Sequence, residues 1–137
     1  MRHPKKTKYG DYATWIKFEV FSNYPVRLIL TDNLAKSATD REVPTPDVDA
    51  DAFCFHTNKG QSYIFLPHDA PEGTVAHEAW HIVHMVLDYV GAKDENEVVA
   101  YHLGYLVNKI YEFKKAVKSS RRKNDKSNSR ASSKKCS

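Results

Sequence analysis

The segment Thr74-Val-Ala-His77-Glu78-Ala-Trp-His81 lies inside an apolar run and constrains the fold of this chain more than any other stretch. A spacing of four puts His77 and His81 one helical turn apart on one face, where both imidazoles can reach a single zinc ion with Glu78 beside them. Val75, Ala79, Ile82, Val86 and Tyr89 recur with helical period as a buried stripe, and His77, His81, His84 and Asp88 fall on the opposite face. The pattern predicts a helix from about Glu72 to Val90. Pro71 and Glu72 suit its first turn, because proline loses no helical hydrogen bond there and the acid meets the positive end of the macrodipole; Gly91 suits its stop. His84, a turn beyond His81, reads equally as a contact around the site or as a surface histidine, and Trp80 reads as packing.

Catalytic zinc needs a third protein ligand and an open fourth position. Asp94-Glu-Asn-Glu97-Val-Val-Ala-Tyr101 opens a second helix, and Glu97 is the expected third ligand. Glu95 and Asp94 are alternatives, and Glu97 has a structural alternative in closing a capping box with Asp94. Val99, Leu103, Leu106, Ile110 and Phe113 form the apolar stripe of this helix, leaving Glu97, Tyr101, Tyr105 and Asn108 together on the other side. Ala100 and Gly104 border that polar face and permit close approach of the two helices.

His77-Glu78-x-x-His81 followed by Asn96-Glu97-x-x-Ala100-Tyr101 resembles the gluzincin pattern of zinc metallopeptidases, in which an N-E-x-x-A-type helix supplies the third ligand. By size the chain is most similar to the minimal zincins, such as small ImmA/IrrE-like proteins of bacteria and their phages. The resemblance covers about residues 61–105. It implies a peptide-bond hydrolase with Zn2+ held by His77, His81 and Glu97. Tyr101 departs from the pattern, standing where many gluzincins carry an acid.

Upstream of the motif the sequence reads as strands. Trp15 to Phe21 alternates with Ile16, Phe18 and Val20 on one side, Asn23-Tyr-Pro25 marks a turn, and Val26 to Leu30 is a second short run. Ala52 to His56 and Gln61 to Leu66 form another pair across the hairpin loop Thr57–Gly60. Asp32 suits the cap of a short helix through Ala38, and Pro44 to Asp51, with Asp47 and Asp49, reads as a solvated acidic loop. The fold class expected is α+β: a small, antiparallel-rich sheet of about four strands followed by two long helices carrying the metal site. Gln61 to Leu66, or its hairpin partner, is the expected edge strand for an extended peptide.

Charge is uneven along the chain. The net +4 conceals an acidic body, since residues 9–113 carry 7 Lys and Arg against 16 Asp and Glu, whereas residues 114–137 carry 10 basic residues and only Asp125. The organisation expected is a basic segment over 1–8, a metallopeptidase-like domain over 9–118 and a disordered basic tail over 119–137. Residues 114–135 can hold nucleic acid or another polyanion through its phosphates, or serve only as a solvated end; no aromatic residue follows Phe113 to stack on bases. Apolar stretches are too short for a membrane span, no signal-peptide pattern opens the chain, and Cys54 and Cys136 make no disulfide framework, so a reducing, cytoplasmic setting is expected.

The chemistry expected is hydrolysis of a peptide bond in a restricted protein substrate. Zinc activates water and polarises the carbonyl, Glu78 takes the water's proton and delivers it to the leaving amine, and Tyr101 or Tyr105, with His102 behind them, stabilises the oxyanion. The alternative is a zinc-binding adaptor or assembly protein without turnover, associated with nucleic acid through its basic tail.

Overall fold

The computed structural model describes residues 3–44 and 50–135; Asp47, Asp49 and Cys136 lie outside them. Four strands, β1 (Tyr12–Ile16), β2 (Val26–Thr31), β3 (Phe53–His56) and β4 (Ser62–Pro67), and three helices, α1 (Leu34–Asp40), α2 (Glu72–Val90) and α3 (Asn96–Lys135), make an α+β fold. The sheet order is β1-β2-β4-β3. β1 pairs antiparallel with β2 and β3 antiparallel with β4, but β2 and β4 are parallel, so the sheet is mixed. A parallel pair needs a crossover, which α1 and the chain leading to β3 supply.

The two central strands are buried on both faces, which is why their sequences are almost continuously apolar. Leu28, Leu30, Ile64 and Leu66 face α2 and α3, where they join Ile82, Leu106 and Ile110 in the main core. Ile29 and Phe65 face the other way, onto Ala38 and Val43. The β3–β4 loop turns at Gly60, with φ +86°, where an added Cβ would stand 2.7 Å from a Tyr89 ring carbon.

α2 has the bounds its periodicity predicts. Gly91 closes it in the left-handed conformation, its N–H directed to Asp88 and Leu87 carbonyls. The buried stripe is wider than expected, adding Val83, Leu87 and Glu78, and Tyr89 is exposed. Three local expectations give way. β1 starts at Tyr12 and ends at Ile16, because Phe18 turns into the core against the His102 and Tyr105 rings and the Lys17 carbonyl accepts from the Tyr105 hydroxyl instead of a strand neighbour. The cap of α1 is Asn33, whose side chain accepts from the Lys36 N–H at 3.0 Å, and not Asp32. α3 continues helically through the segment expected to be a disordered tail, with Ser120 buried. No glycine or proline interrupts residues 105–135, and the helix supplies its own backbone hydrogen bonds without an apolar face. No helix among the described residues is long and apolar enough to cross a membrane.

Candidate metal centre and its cleft

His77 and His81 project from the first half of α2 with their Nε2 atoms 3.1 Å apart and their rings nearly perpendicular, at 80°. Two imidazole nitrogens bound to one tetrahedral zinc at 2.0–2.1 Å would be roughly 3.3 Å apart, so the pair stands close to chelating geometry. Both rings are accessible, whereas Glu78 between them is only 7% exposed. The helix turns Glu78 inward because its side chain points about 100° away from that of His77.

Glu78 meets β3, one of the two edge strands of the sheet among the described residues. The Cys54 thiol lies within hydrogen-bonding influence of the Glu78 carboxylate; burial first, and then that negative charge and hydrogen bond, push the thiol up to about 12. A cavity of about 360 Å³ opens beside this pair, lined by Asp51, Ala52, Gly73, Thr74, His77 and Glu78. The edge strand is thus the hairpin partner of the 61–66 run, while β4 itself lies inside the sheet between β2 and β3.

Other site residues read from the sequence fall elsewhere. Among the described residues no group of three or more His, Cys, Asp or Glu side chains is gathered for a metal ion. Glu97 is exposed in the first turn of α3, and Asp94 lies 3.8 Å from His84 Nδ1. Tyr101 donates to Glu19 at 2.8 Å and Tyr105 to the Lys17 carbonyl at 2.7 Å, so both phenols hold the connection after β1. His102 is buried between Phe18 and Phe21, with Nδ1 2.8 Å from the Val98 carbonyl. These three side chains brace α3 against the sheet's first connection. Trp80 is half exposed, its ring centroid 4.1 Å from that of His84.

Sequence reasoning passed over Asp51, which lines the cleft and reads as part of a solvated loop, and Cys54 on the neighbouring strand, weighed there only for a disulfide. Their signal is positional: both flank or occupy the strand that ends at the edge of the sheet. Reading it requires the strand order, which periodicity does not carry. No protein-family model matches the chain, and no curated protein or solved structure matches it.

Proposed function

We propose that the protein is a zinc-dependent metallopeptidase that hydrolyses a peptide bond in a restricted protein substrate. The observation that carries this reading is the His77–His81 Nε2 separation of 3.1 Å next to a buried carboxylate and an edge strand. His77 and His81 would hold the metal. Glu97 is the third donor that the sequence spacing assigns, and Asp51, which lines the same cavity as His77, is the alternative that the cleft offers. Bound zinc would supply Lewis acidity toward a carbonyl and acidify water.

The chain's own residues do the rest. Glu78 takes a proton from water and returns it to the leaving amine. The free outer edge of β3 pairs with an extended peptide backbone, laying it across the cleft beside His77. Tyr101 and Tyr105 would reach an oxyanion only by releasing Glu19 and the Lys17 carbonyl, so they rank below the backbone of β3 as donors. The proposed setting is the cytoplasm, where the free Cys54 thiol stays reduced.

Exposure of Glu97 favours a second reading, a zinc-binding adaptor whose third donor comes from a partner. Glu78→Gln separates the two, since it keeps size and polarity but removes the base. New protein termini produced on expressing the wild type should vanish with Glu78→Gln, with zinc content unchanged, and the cleavage should be reproduced with purified substrate. Equal cleavage by both proteins would exclude Glu78 as the base; no cleavage by wild type would favour the adaptor.

A further inference from the structure

The basic residues from the two ends of the sequence meet on one side of the molecule. Lys114, Lys118 and Arg121 form one stripe of α3 at i, i+4 and i+7, with Lys115 and Arg122 on the adjoining stripe. The N-terminal segment is tied to this helix: the Ser120 hydroxyl donates to the Pro4 carbonyl at 2.7 Å, and Lys123 Nζ lies 2.8 Å from His3 Nε2. The next residues, Lys5 and Lys6, are exposed.

Between α3 and the turn from β4 into α2 lies a cavity of about 650 Å³, the larger of the two clefts described. His68, Asp69 and Ala70 form one wall, and α3 the other. Five cations line it, Lys114, Lys115, Lys118, Arg121 and Arg122, against two acids, Asp69 and Asp125. Tyr111 lines it too, and its hydroxyl is buried without a hydrogen-bond partner. Lys114 sits over that ring at 5.3 Å and donates to the Ala70 carbonyl at 2.7 Å. A cavity with this excess of cations matches an anionic ligand.

We propose that this cleft holds the phosphate backbone of a nucleic acid without reading its sequence. The extent of the charge favours a polymer over a small anion. From Lys114 to Lys126 the helix advances roughly 18 Å at 1.5 Å per residue, the length of about five phosphates at 3.4 Å each along one duplex strand. An isolated phosphate would use a fraction of that stripe. The excess of acids over residues 9–113 repels the same polyanion from the rest of the domain and so orients it on this side. Backbone contact without base stacking agrees with the absence of aromatic residues after Phe113.

The test is fluorescence anisotropy of the full chain with labelled single-stranded and duplex DNA of about twenty nucleotides and mixed sequence, at about 50 and 200 mM salt. Binding should be independent of sequence and should weaken roughly a hundredfold across that range, as release of about four counterions requires. Lys118→Glu with Arg121→Glu should weaken it at least about tenfold at low salt, and Lys118→Gln with Arg121→Gln by less but measurably, with helical content unchanged. Lys59→Glu with Lys93→Glu makes the same change in net charge on exposed residues outside the cleft and should change affinity by no more than about twofold. No DNA binding at low salt, or equal weakening by the two charge-reversal pairs, would overturn the cleft. A heparin fragment bound as tightly as DNA would overturn the nucleic-acid assignment in favour of a general polyanion. Glu78→Gln should bind DNA like wild type, so this site stands or falls independently of the proposed hydrolysis.

Discussion

Asp11 and Glu78 are both buried carboxylates, in different surroundings. Asp11 receives both terminal nitrogens of Arg41, at 2.6 and 2.7 Å, and the hydroxyls of Thr7 and Ser37. Burial alone would raise its pKa, but these hydrogen bonds and the guanidinium charge together hold it down at about 2. A carboxylate depressed in the folded state contributes stability that is complete above its unfolded value, near 3.8, and is lost as pH falls through the folded value. Wild type should therefore lose about 2 kcal/mol between roughly pH 5 and pH 2 that Asp11→Asn, already destabilised, does not lose through this group. Urea unfolding of the two proteins across that range measures it, and parallel pH profiles would contradict the assignment. Glu78, by contrast, has no cation paired with it among the described residues and a thiol as its neighbour.

At the scale of elements, the glycines of the hairpin and of the α2 terminus separate backbone conformation from crowding. Both have positive φ, +86° at Gly60 and +72° at Gly91, but only at Gly60 does an added Cβ meet neighbours, Tyr89 and Tyr24 at 2.7 and 2.9 Å. Gly91→Ala should cost about 1 kcal/mol for its left-handed backbone, and Gly60→Ala about 2–3 kcal/mol because the two tyrosine rings must also move. Thermal unfolding of the pair decides it; equal losses would remove the steric part. α2 was legible to its last residue because period, proline, acid and C-terminal glycine all agree there. β1 was not, since Phe18 and Val20 continue the alternation from Ile16, which the core interrupts by burying Phe18 against α3 while Val20 stays exposed. The parallel pairing of β2 with β4 was invisible for a related reason: two doubly buried strands read alike in either direction. Tyr101 and Tyr105 were placed on the correct helix and face, yet their partners at residues 17 and 19 lie more than eighty positions away, beyond the reach of local spacing.

At the scale of the whole molecule, charge is divided between an acidic body and basic ends. The acidic body carries the histidine pair and β3, and the N-terminal segment is tied to basic α3 through Ser120–Pro4 and Lys123–His3. Sequence alone exposed the charge asymmetry and the histidine pair, because both are properties of neighbouring residues. It did not reveal that β3 is the strand beside Glu78 or that Asp51 borders the same cavity, since those depend on sheet order. The central claim is that His77 and His81 are ligands to one metal ion, and X-ray absorption at the zinc edge of the zinc-loaded full chain tests it most directly. One zinc per chain, with a two-imidazole scattering signature at about 2.0–2.1 Å, is the predicted result, lost in His77→Ala and in His81→Ala and weakened by substitution of the third donor, Glu97 or Asp51. Zinc bound with the same spectrum and stoichiometry after both histidines are replaced would contradict it.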